Sequence, residues 1–276
     1  MNYIGCHLSS TGGYEKMVKT ALSIGVDTFA FFTRNPRGSR AKPEDPQDAA
    51  RANALLQENH FGPLVAHGPY TMNLCTRDPE ARDFAKEILK DDLRRMAALP
   101  GNFYNFHPGS HVGQGEEIGV DAICTALREA LAPQYPVTVL LETMAGKGTE
   151  IGRNFEQLKE ILDGVGDPSL GICLDTCHVS DGGYDLSGDL DGVLSEFDRI
   201  IGLKRLKALH VNDSKNICGS HKDRHACIGE GPLGIPFFDK LMNHPALSGK
   251  PMILETPNAL PGYQKEIAML RDMSRS

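Results

Sequence analysis

Residues 170–178 read Leu170-Gly171-Ile172-Cys173-Leu174-Asp175-Thr176-Cys177-His178, an apolar run that ends in polar side chains. A continuous apolar run of this length is typical of a strand that is covered on both faces in a parallel sheet. The aspartate and the histidine behind it need polar partners, because such groups are costly to bury alone. The stretch therefore predicts a parallel strand with functional side chains at its carboxyl end.

Similar apolar runs recur along the whole chain. They predict eight strands, over Tyr3–Ser9, Thr28–Thr33, Leu64–His67, Phe103–His107, Thr138–Thr143, Leu170–Asp175, Leu206–Val211 and Pro251–Thr256. Amphipathic stretches between the strands predict helices over Tyr14–Ile24, Ala81–Ala98, Ala122–Leu131, Phe155–Leu162, Leu190–Ile201 and Pro236–Leu241. We expect Asn154 to cap the start of a helix, and Gly25 and Gly164 to end helices.

This alternation predicts an α/β fold, a TIM (β/α)₈ barrel that forms a single domain over residues 1–276. The length agrees, since barrels of this class have about 250 residues. A doubly wound open sheet is the structural alternative. It is less favoured because no Gly-x-Gly-x-x-Gly turn follows the first strand.

Charge and composition argue against several classes of protein. The formal net charge of −7 argues, taken alone, against binding to nucleic acid. No apolar run approaches the roughly 20 residues that a membrane span needs, and no signal peptide is expected at the start of the chain. The seven cysteines include no Cys-x-x-Cys pair, which predicts buried thiols in a reducing cytoplasm rather than disulfides or a Cys₄ zinc site.

The functional site of a (β/α)₈ barrel is built from the carboxyl ends of its strands and the loops behind them. Those ends carry five histidines and four carboxylates: His67, His107, Glu142, Asp175, His178, His210, Asp223, His225 and Glu255. Imidazoles and carboxylates around one mouth suit divalent metal ions, and nine ligands could hold two or three ions with one carboxylate as a bridge. The absence of cysteine from the set indicates a catalytic rather than a structural zinc site.

Each of these residues also has a purely structural interpretation. A lone histidine such as His67 is more often hydrogen-bonded than a metal ligand, Asp175 could cap a helix, and Asp223 could form a solvated turn. Each structural interpretation is plausible alone, but it is implausible that all of them apply together at six strand ends. Among the remaining histidines, His7 and His111 are the ones we expect to support the ligands.

Several segments resemble the endonuclease IV family of apurinic/apyrimidinic (AP) endonucleases. The match extends over essentially the whole chain and includes His67-Gly68-Pro69-Tyr70, Asn105-Phe106-His107-Pro108-Gly109-Ser110-His111, Leu174-Asp175-Thr176-Cys177-His178, His210-Val211-Asn212-Asp213-Ser214-Lys215, Asp223-Arg224-His225 and Leu254-Glu255-Thr256. The Asp-Thr-Cys-His and Asp-Arg-His segments in this order are the most specific. The resemblance implies three Zn²⁺ ions per chain, with Mn²⁺ or Fe²⁺ as alternatives at some positions.

The resemblance also assigns ligands and roles. It implies one zinc at His67, His107 and Glu142, a second at Glu142, Asp175, His210 and Glu255, and a third at His178, Asp223 and His225. Glu142 would bridge two ions. Glu142 and Glu255 would be the catalytic residues, because together they would position the attacking water. Two positions depart from the family pattern: Thr143 stands where asparagine is expected, and Thr71 where a bulkier apolar residue is common.

The implied reaction belongs to base excision repair. It hydrolyses the phosphodiester 5′ to an abasic site in double-stranded DNA and leaves a 3′-hydroxyl and a 5′-deoxyribose phosphate, with 3′-end cleaning as a further activity. Arg37 and Tyr70 match residues that insert into the duplex. Further basic residues near the rim could hold the DNA backbone: Arg34, Arg40, Lys147, Lys215, Lys222 and Arg224.

Bound metal ions would make the net charge of −7 compatible with binding to DNA. Three Zn²⁺ ions would change the formal charge of the chain from −7 to −1 and would dominate the local field. Because one chain supplies every ligand, we expect a monomer.

Two rival functions remain at this point. A divalent-metal sugar isomerase or epimerase on the same barrel would need only Glu142, Asp175, His210 and Glu255. A non-catalytic binding module would not need a complete ligand set. His178, with the Asp223 and His225 pair, discriminates against the isomerase, because an isomerase needs no third metal ion.

Overall fold

The computed structural model describes residues 2–274 and contains every predicted barrel strand. The strands are β1 Tyr3–Cys6, β2 Ala30–Phe32, β3 Val65–His67, β4 Phe103–Phe106, β5 Thr138–Glu142, β6 Gly171–Asp175, β7 Leu206–His210 and, last in the chain, β10 Pro251–Leu254. Two short strands, β8 Asp213–Ser214 and β9 His225–Ala226, form a separate antiparallel hairpin between β7 and β10. The eight predicted strands are confirmed, with ends shorter by up to three residues, and the hairpin is additional.

The eight barrel strands are all parallel, in the order β1-β10-β7-β6-β5-β4-β3-β2. An isolated parallel bridge between His7 and Ala30 joins the two outer strands, and the backbone N–H of Leu8 donates to the Ala30 carbonyl at 2.8 Å. Gly5 permits this closure, because a Cβ there would lie 1.8 Å from the Thr28 carbonyl oxygen. The predicted TIM barrel is therefore confirmed.

Nine α-helices are present among residues 2–274. They are α1 Tyr14–Ile24, α2 Pro46–Glu58, α3 Pro79–Met96, α4 Glu116–Leu131, α5 Phe155–Val165, α6 Thr176–Asp181, α7 Leu190–Ile200, α8 Gly234–Asn243 and α9 Leu260–Met273. All six predicted helices occur, and α2, α6 and α9 were not predicted. The fully buried residues of α2 are the small Ala49 and Ala52, with Leu55 and Leu56 only partly buried, and α6 has only six residues, so neither shows a clear apolar stripe.

Two of the three expected helix ends are confirmed. The Asn154 side chain accepts a hydrogen bond from the Gln157 N–H, and Gly25 ends α1 in the left-handed conformation. The expectation for Gly164 is wrong, because α5 continues to Val165 and ends at Gly166 with φ 73°. Gly164 instead packs tightly, since a Cβ there would lie 2.6 Å from the Cys124 sulfur.

The strands have a hydrophobic region on each face, one outside the barrel and one inside it. The larger lies between the sheet and the helices and contains large buried side chains such as Phe155 and Phe237. The smaller fills the interior of the barrel and consists of Ala30, Val65, Leu140, Cys173, Ala208 and Ile253, with Phe103 against it. Because side chains alternate along a strand, the residue two positions beyond each of these also points inward.

Two predictions from the sequence concern the state of the cysteines and the presence of membrane-spanning segments. All seven cysteines are free thiols, and five of them are buried: Cys6, Cys75, Cys124, Cys173 and Cys177. Within residues 2–274, no helix has the length and apolar character that crossing a membrane requires.

Candidate metal centre

A polar ring lies directly above the apolar interior layer of the barrel. Counting two residues along each strand from that layer gives Phe32, His67, Asn105, Glu142, Asp175, His210 and Glu255. Six of these seven are polar, and five of them are fully or almost fully buried, with exposures of 0–1%. The alternation of a strand thus places carboxylates and imidazoles at the same height in the barrel.

The first group of potential ligands is formed by His67, His107 and Glu142, whose ligand atoms all lie within 4.8 Å of one another. Glu142 Oε2 lies 3.1 Å from His67 Nε2 and 3.4 Å from His107 Nε2. His107 follows β4 by one residue and is about a quarter exposed, so this group opens towards the rim.

The second group shares Glu142 and adds Asp175, His210 and Glu255, again within 4.8 Å. His210 Nδ1 lies 3.0 Å from Glu142 Oε1, 3.0 Å from Glu255 Oε2 and 3.9 Å from Asp175 Oδ2. The two oxygens of Glu142 therefore face different groups, Oε2 the first and Oε1 the second. This is the arrangement that a bridging carboxylate requires.

The third group consists of His178, Asp223 and His225. His178 comes from α6, whereas the other two come from the β8–β9 hairpin and the loop that closes it. Asp223 Oδ1 lies 3.1 Å from His178 Nε2 and 3.6 Å from His225 Nε2. The structure thus brings all nine predicted ligands into three connected groups.

Two imidazole nitrogens in these groups have no hydrogen-bond partner among residues 2–274. His210 Nε2 and His225 Nε2 are buried and make no hydrogen bond with any residue in the described part of the chain. A buried polar atom without a partner is costly and uncommon in folded proteins. His225 Nε2 lies 3.6 Å from Asp223 Oδ1 and 3.7 Å from Asp175 Oδ2. Imidazole nitrogens and carboxylates are ligands that divalent zinc prefers, so the residues present fit the metal that the resemblance implies.

The electrostatics of the centre favour cations. Burial raises the pKa of Glu142, but His210 and His107 outweigh it and hold that pKa well below its ordinary value. Burial likewise opposes ionisation of Asp223, yet the hydrogen bond from His178 lowers its pKa to about 2. Burial lowers the pKa of His178 and Asp175 raises it, with a net value well above the usual range. The lowered pKa values of Glu142 and Asp223 favour their ionised forms, which draw positive charge to the groups.

Three further residues hold the ligands and were not identified as site residues from the sequence. Asn105 Nδ2 donates to Glu142 Oε2 at 2.6 Å, and Asn212 Nδ2 donates to Asp175 Oδ2 at 2.7 Å. The carbonyl of Thr143 accepts from His178 Nδ1 at 2.9 Å, and its hydroxyl accepts from the backbone N–H of Asp175. The inward alternation of β4 would have indicated Asn105. Thr143, noted only as a departure from the family, contacts two ligand residues.

His7 also lies beside the ligands, as expected, whereas His111 does not contact them. His7 Nε2 lies 3.7 Å from Glu255 Oε1, and burial lowers the pKa of His7 to about 4. His111 Nδ1 instead accepts the backbone N–H of Gly115, outside the ligand groups.

The rim residues differ in what they present to solvent. Tyr70 is 56% exposed and packs edge-on against Phe32 and His67, with ring centroids 5.0 and 5.8 Å apart. Arg37 is exposed in the neighbouring loop. Arg34 is the exception among the expected backbone-binding cations, because its guanidinium is buried against Asp92 at 2.6 Å. Its charge is used to anchor the loop and is not available to DNA.

Comparisons with known proteins show the family of this chain. Residues 18–273 match the family described as xylose isomerase-like TIM barrel. The chain is 57% identical over 273 residues to the probable endonuclease 4 of Alkaliphilus oremlandii (strain OhILAs), covering 99% of this chain and 97% of that one.

Solved structures give the same result. The crystal structure of endonuclease IV from Thermus thermophilus superposes with a TM-score of 0.88 at 32% identity, covering 98% of both chains. A D-tagatose 3-epimerase-like protein superposes with a TM-score of 0.73 at 20% identity, covering 98% of this chain and 96% of that one, and shares the fold alone. The chain therefore belongs to the endonuclease IV family of nucleases, within the xylose isomerase-like TIM barrels.

Proposed function

We propose that the protein is a zinc-dependent AP endonuclease that hydrolyses the phosphodiester 5′ to an abasic site in double-stranded DNA. The products are a 3′-hydroxyl and a 5′-deoxyribose phosphate, and the same centre removes blocking groups from 3′ ends. The observation that carries the proposal is the third group, His178, Asp223 and His225, next to the two groups that share Glu142. A sugar epimerase has no use for this third set of ligands.

The proposed cofactor is three Zn²⁺ ions per chain, with Mn²⁺ or Fe²⁺ as substitutes at some positions. His67, His107 and Glu142 would hold the first ion, Glu142, Asp175, His210 and Glu255 the second, and His178, Asp223 and His225 the third. When bound, the ions lower the pKa of water and offset negative charge on the phosphate and the leaving oxygen.

The protein's own contribution is positioning. Asn105 donates to one oxygen of Glu142 and so fixes the carboxylate with each oxygen towards a different group. Glu255 lies in the same region, because His210 Nδ1 is in contact with both Glu142 Oε1 and Glu255 Oε2. These two glutamates are our candidates for orienting the attacking water, because both are ionised within the buried centre.

A groove next to the centre offers a path for the DNA backbone. It has a volume of about 1600 Å³ and begins at His7 and Phe32, which contact the ligand His67. Its lining contains seven basic and four acidic side chains. Arg34 and Arg95 pair with Asp92 and Asp91, so the remaining basic excess is small, and Arg40 and Lys42 are among its exposed members. Phosphates bind such a surface without regard to base sequence.

Arg37 and Tyr70 are the proposed residues that enter the duplex. Tyr70 stands above His67 and His107, and its backbone N–H donates to Pro36 in the loop that carries Arg37. The two side chains therefore sit in linked loops beside the centre. An abasic nucleotide has no base to unstack, so its extrusion towards the metal groups costs little. We propose that the enzyme works as a cytoplasmic, single-domain monomer in base excision repair.

A direct assay tests the proposal. A labelled duplex with one abasic site should be cut once, 5′ to that site, by the zinc-loaded protein, and the new 3′ end should support extension by a polymerase. The same duplex with an intact base is the control and should stay uncut. Elemental analysis of the active fraction should give about three metal ions per chain.

The alternative function has its own readout. An epimerase would interconvert ketohexoses in the presence of a divalent ion and leave abasic DNA intact. That result, or incision of intact and abasic duplexes at equal rates, would refute the proposed specificity.

A further inference from the structure

Asp181 is a fully buried carboxylate that none of the roles above uses. It is the last residue of α6, with 0% of its surface exposed. Its carboxylate accepts from Ser214 Oγ at 2.7 Å, from Asn216 Nδ2 at 3.2 Å and from the backbone N–H of Asp223 at 2.9 Å. None of these donors carries a charge. A buried carboxyl group is costly unless it is hydrogen-bonded, and these three hydrogen bonds offset that cost.

All three donors lie in one segment, the β8–β9 hairpin and its closing loop. The carbonyl of Asp181 adds a fourth bond to that segment, from the N–H of His221 at 2.9 Å. Both His221 and Asp223 have positive φ, 53° and 55°, a conformation that only a few per cent of non-glycine residues adopt. The hydrogen bonds from Asp181 therefore hold the loop in a shape that its sequence does not favour on its own.

The same helix carries the metal-facing partner of that loop. His178 precedes Asp181 by three residues in α6, so both side chains project from one face of the helix. His178 Nε2 lies 3.1 Å from the carboxylate of Asp223, while Asp181 binds the backbone N–H of Asp223. One turn of α6 thus fixes Asp223 at both its backbone and its side chain.

We propose that Asp181 is a positioning residue for the third metal group, which it completes by holding Asp223 within reach of His178 and His225. This inference rests on the proposed function, which supplies the metal ion at the third group. Asp181 itself contacts neither the metal nor DNA in this proposal. The consequence is selective: loss of the Asp181 carboxylate weakens the third ion and leaves the first two groups, which the barrel strands carry, unaltered.

The variant Asp181→Asn tests this directly, because it keeps the size of the side chain and removes its charge. We expect the affinity for one zinc ion to fall about 10- to 100-fold, as for other residues that support metal ligands, while two ions stay bound as in the wild type. Zinc content after dialysis against zinc buffers, measured by elemental analysis, gives the number and affinity of the ions. Excess zinc should restore incision, which a misfolded protein would not show.

Asp185→Asn is the matched control. Asp185 is an exposed carboxylate four residues further along, and it accepts local hydrogen bonds from Ser187 and Gly188. This variant should keep three zinc ions with wild-type affinity. If Asp181→Asn does not fold, Ser214→Ala decides the matter, because it removes the donor to Asp181 Oδ1 and, besides that, the acceptor of the Asn216 N–H in the same loop. A smaller loss confined to the third ion then supports the proposal, and wild-type zinc affinity overturns it.

The outcomes separate this inference from the proposed function. A wild-type protein that cuts abasic DNA and binds three zinc ions, with an Asp181→Asn variant that binds them equally well, refutes the role of Asp181 and leaves the function intact. A wild-type protein that binds zinc but leaves abasic DNA uncut refutes the function, and the zinc titration of the variant still decides the role of Asp181. Equal weakening of all three ions also overturns the inference.

Discussion

Two adjacent layers inside the same barrel differ in almost every physical respect. The lower layer consists of small and branched apolar side chains, among them Val65, Leu140 and Ile253. The layer two residues further along the same strands holds His67, Glu142 and, after β10, Glu255. One layer gains stability from burial, whereas the other buries ionised groups and leaves imidazole nitrogens without partners.

The boundary between the two layers separates residues that the fold needs from residues of the candidate site. In β5 the boundary falls between Leu140 and Glu142, two residues that point into the same barrel and are both completely buried. The strand needs Leu140 to fill the interior. It has no structural need for a carboxylate at the next inward position. The polar layer instead offers the ligand set that the proposed ions would need.

The largest expected effect is on Glu142. Glu142→Ala should lower incision of abasic DNA by at least about 10³-fold, because a bridging ligand contributes several kcal/mol to the transition state. The free energy of unfolding of the metal-free protein should not fall comparably, since the variant removes a buried charge. Single-turnover kinetics and urea unfolding measure the two quantities. Glu160→Ala, on the exposed face of α5, should change neither.

The matched change in the lower layer should have the opposite profile. Leu140→Ala should lower the free energy of unfolding by about 2–5 kcal/mol, through lost burial and a cavity in the barrel. Incision per folded molecule should stay close to that of the wild type. If Leu140→Ala instead reduced incision as strongly as Glu142→Ala at full folding, the separation of the two layers would be wrong.

Removal of metal should affect the upper layer alone. A chelator should abolish incision and leave the far-ultraviolet circular dichroism unchanged, because the strands are held by the apolar regions. The melting temperature should fall, since zinc at about 100 times its dissociation constant adds about 2.7 kcal/mol per independent site. Unfolding of the barrel on chelation would show that the ions are structural.

The smallest effect is expected at the rim above both layers. Tyr70→Ala should weaken binding to an abasic duplex about tenfold, or about 1.4 kcal/mol, because an exposed aromatic contact is lost while all proposed ligands stay. Phe84 on α3 is equally exposed, at 55% against 56% for Tyr70, and is the control. Fluorescence anisotropy should show weaker binding for Tyr70→Ala only. Equal affinities of the two variants would remove Tyr70 from the DNA site.

The barrel itself could be predicted from the sequence because burial on both faces leaves continuous apolar runs. The same property hid the short or small-residue elements: α2 buries alanines, and the β8–β9 hairpin has two residues per strand. Gly164 carried a cap signal but lies inside α5, where its size matters for contact with Cys124. Local sequence signals do not show which tertiary contact a glycine makes.

The candidate site was predictable where its residues follow strands. His67, His107 and Glu142 end strands or follow them closely, so the parallel order alone brings them together. Asp223 and His225 do not end barrel strands and were predicted from the long loop after the seventh strand and from the family resemblance, whereas Asp181 was not predicted at all. Arg34 shows the reverse error: a basic loop indicated DNA contact, but the long-range pairing with Asp92 buries the charge. The identities of the ligands as metal-binding residues stay a prediction.

Anomalous X-ray diffraction above and below the zinc edge, from crystals grown with zinc, tests the central claim most directly. We expect three anomalous peaks per chain, one at His67, His107 and Glu142, one at Glu142, Asp175, His210 and Glu255, and one at His178, Asp223 and His225. An absence of peaks at these side chains, or peaks only elsewhere on the surface, would contradict it.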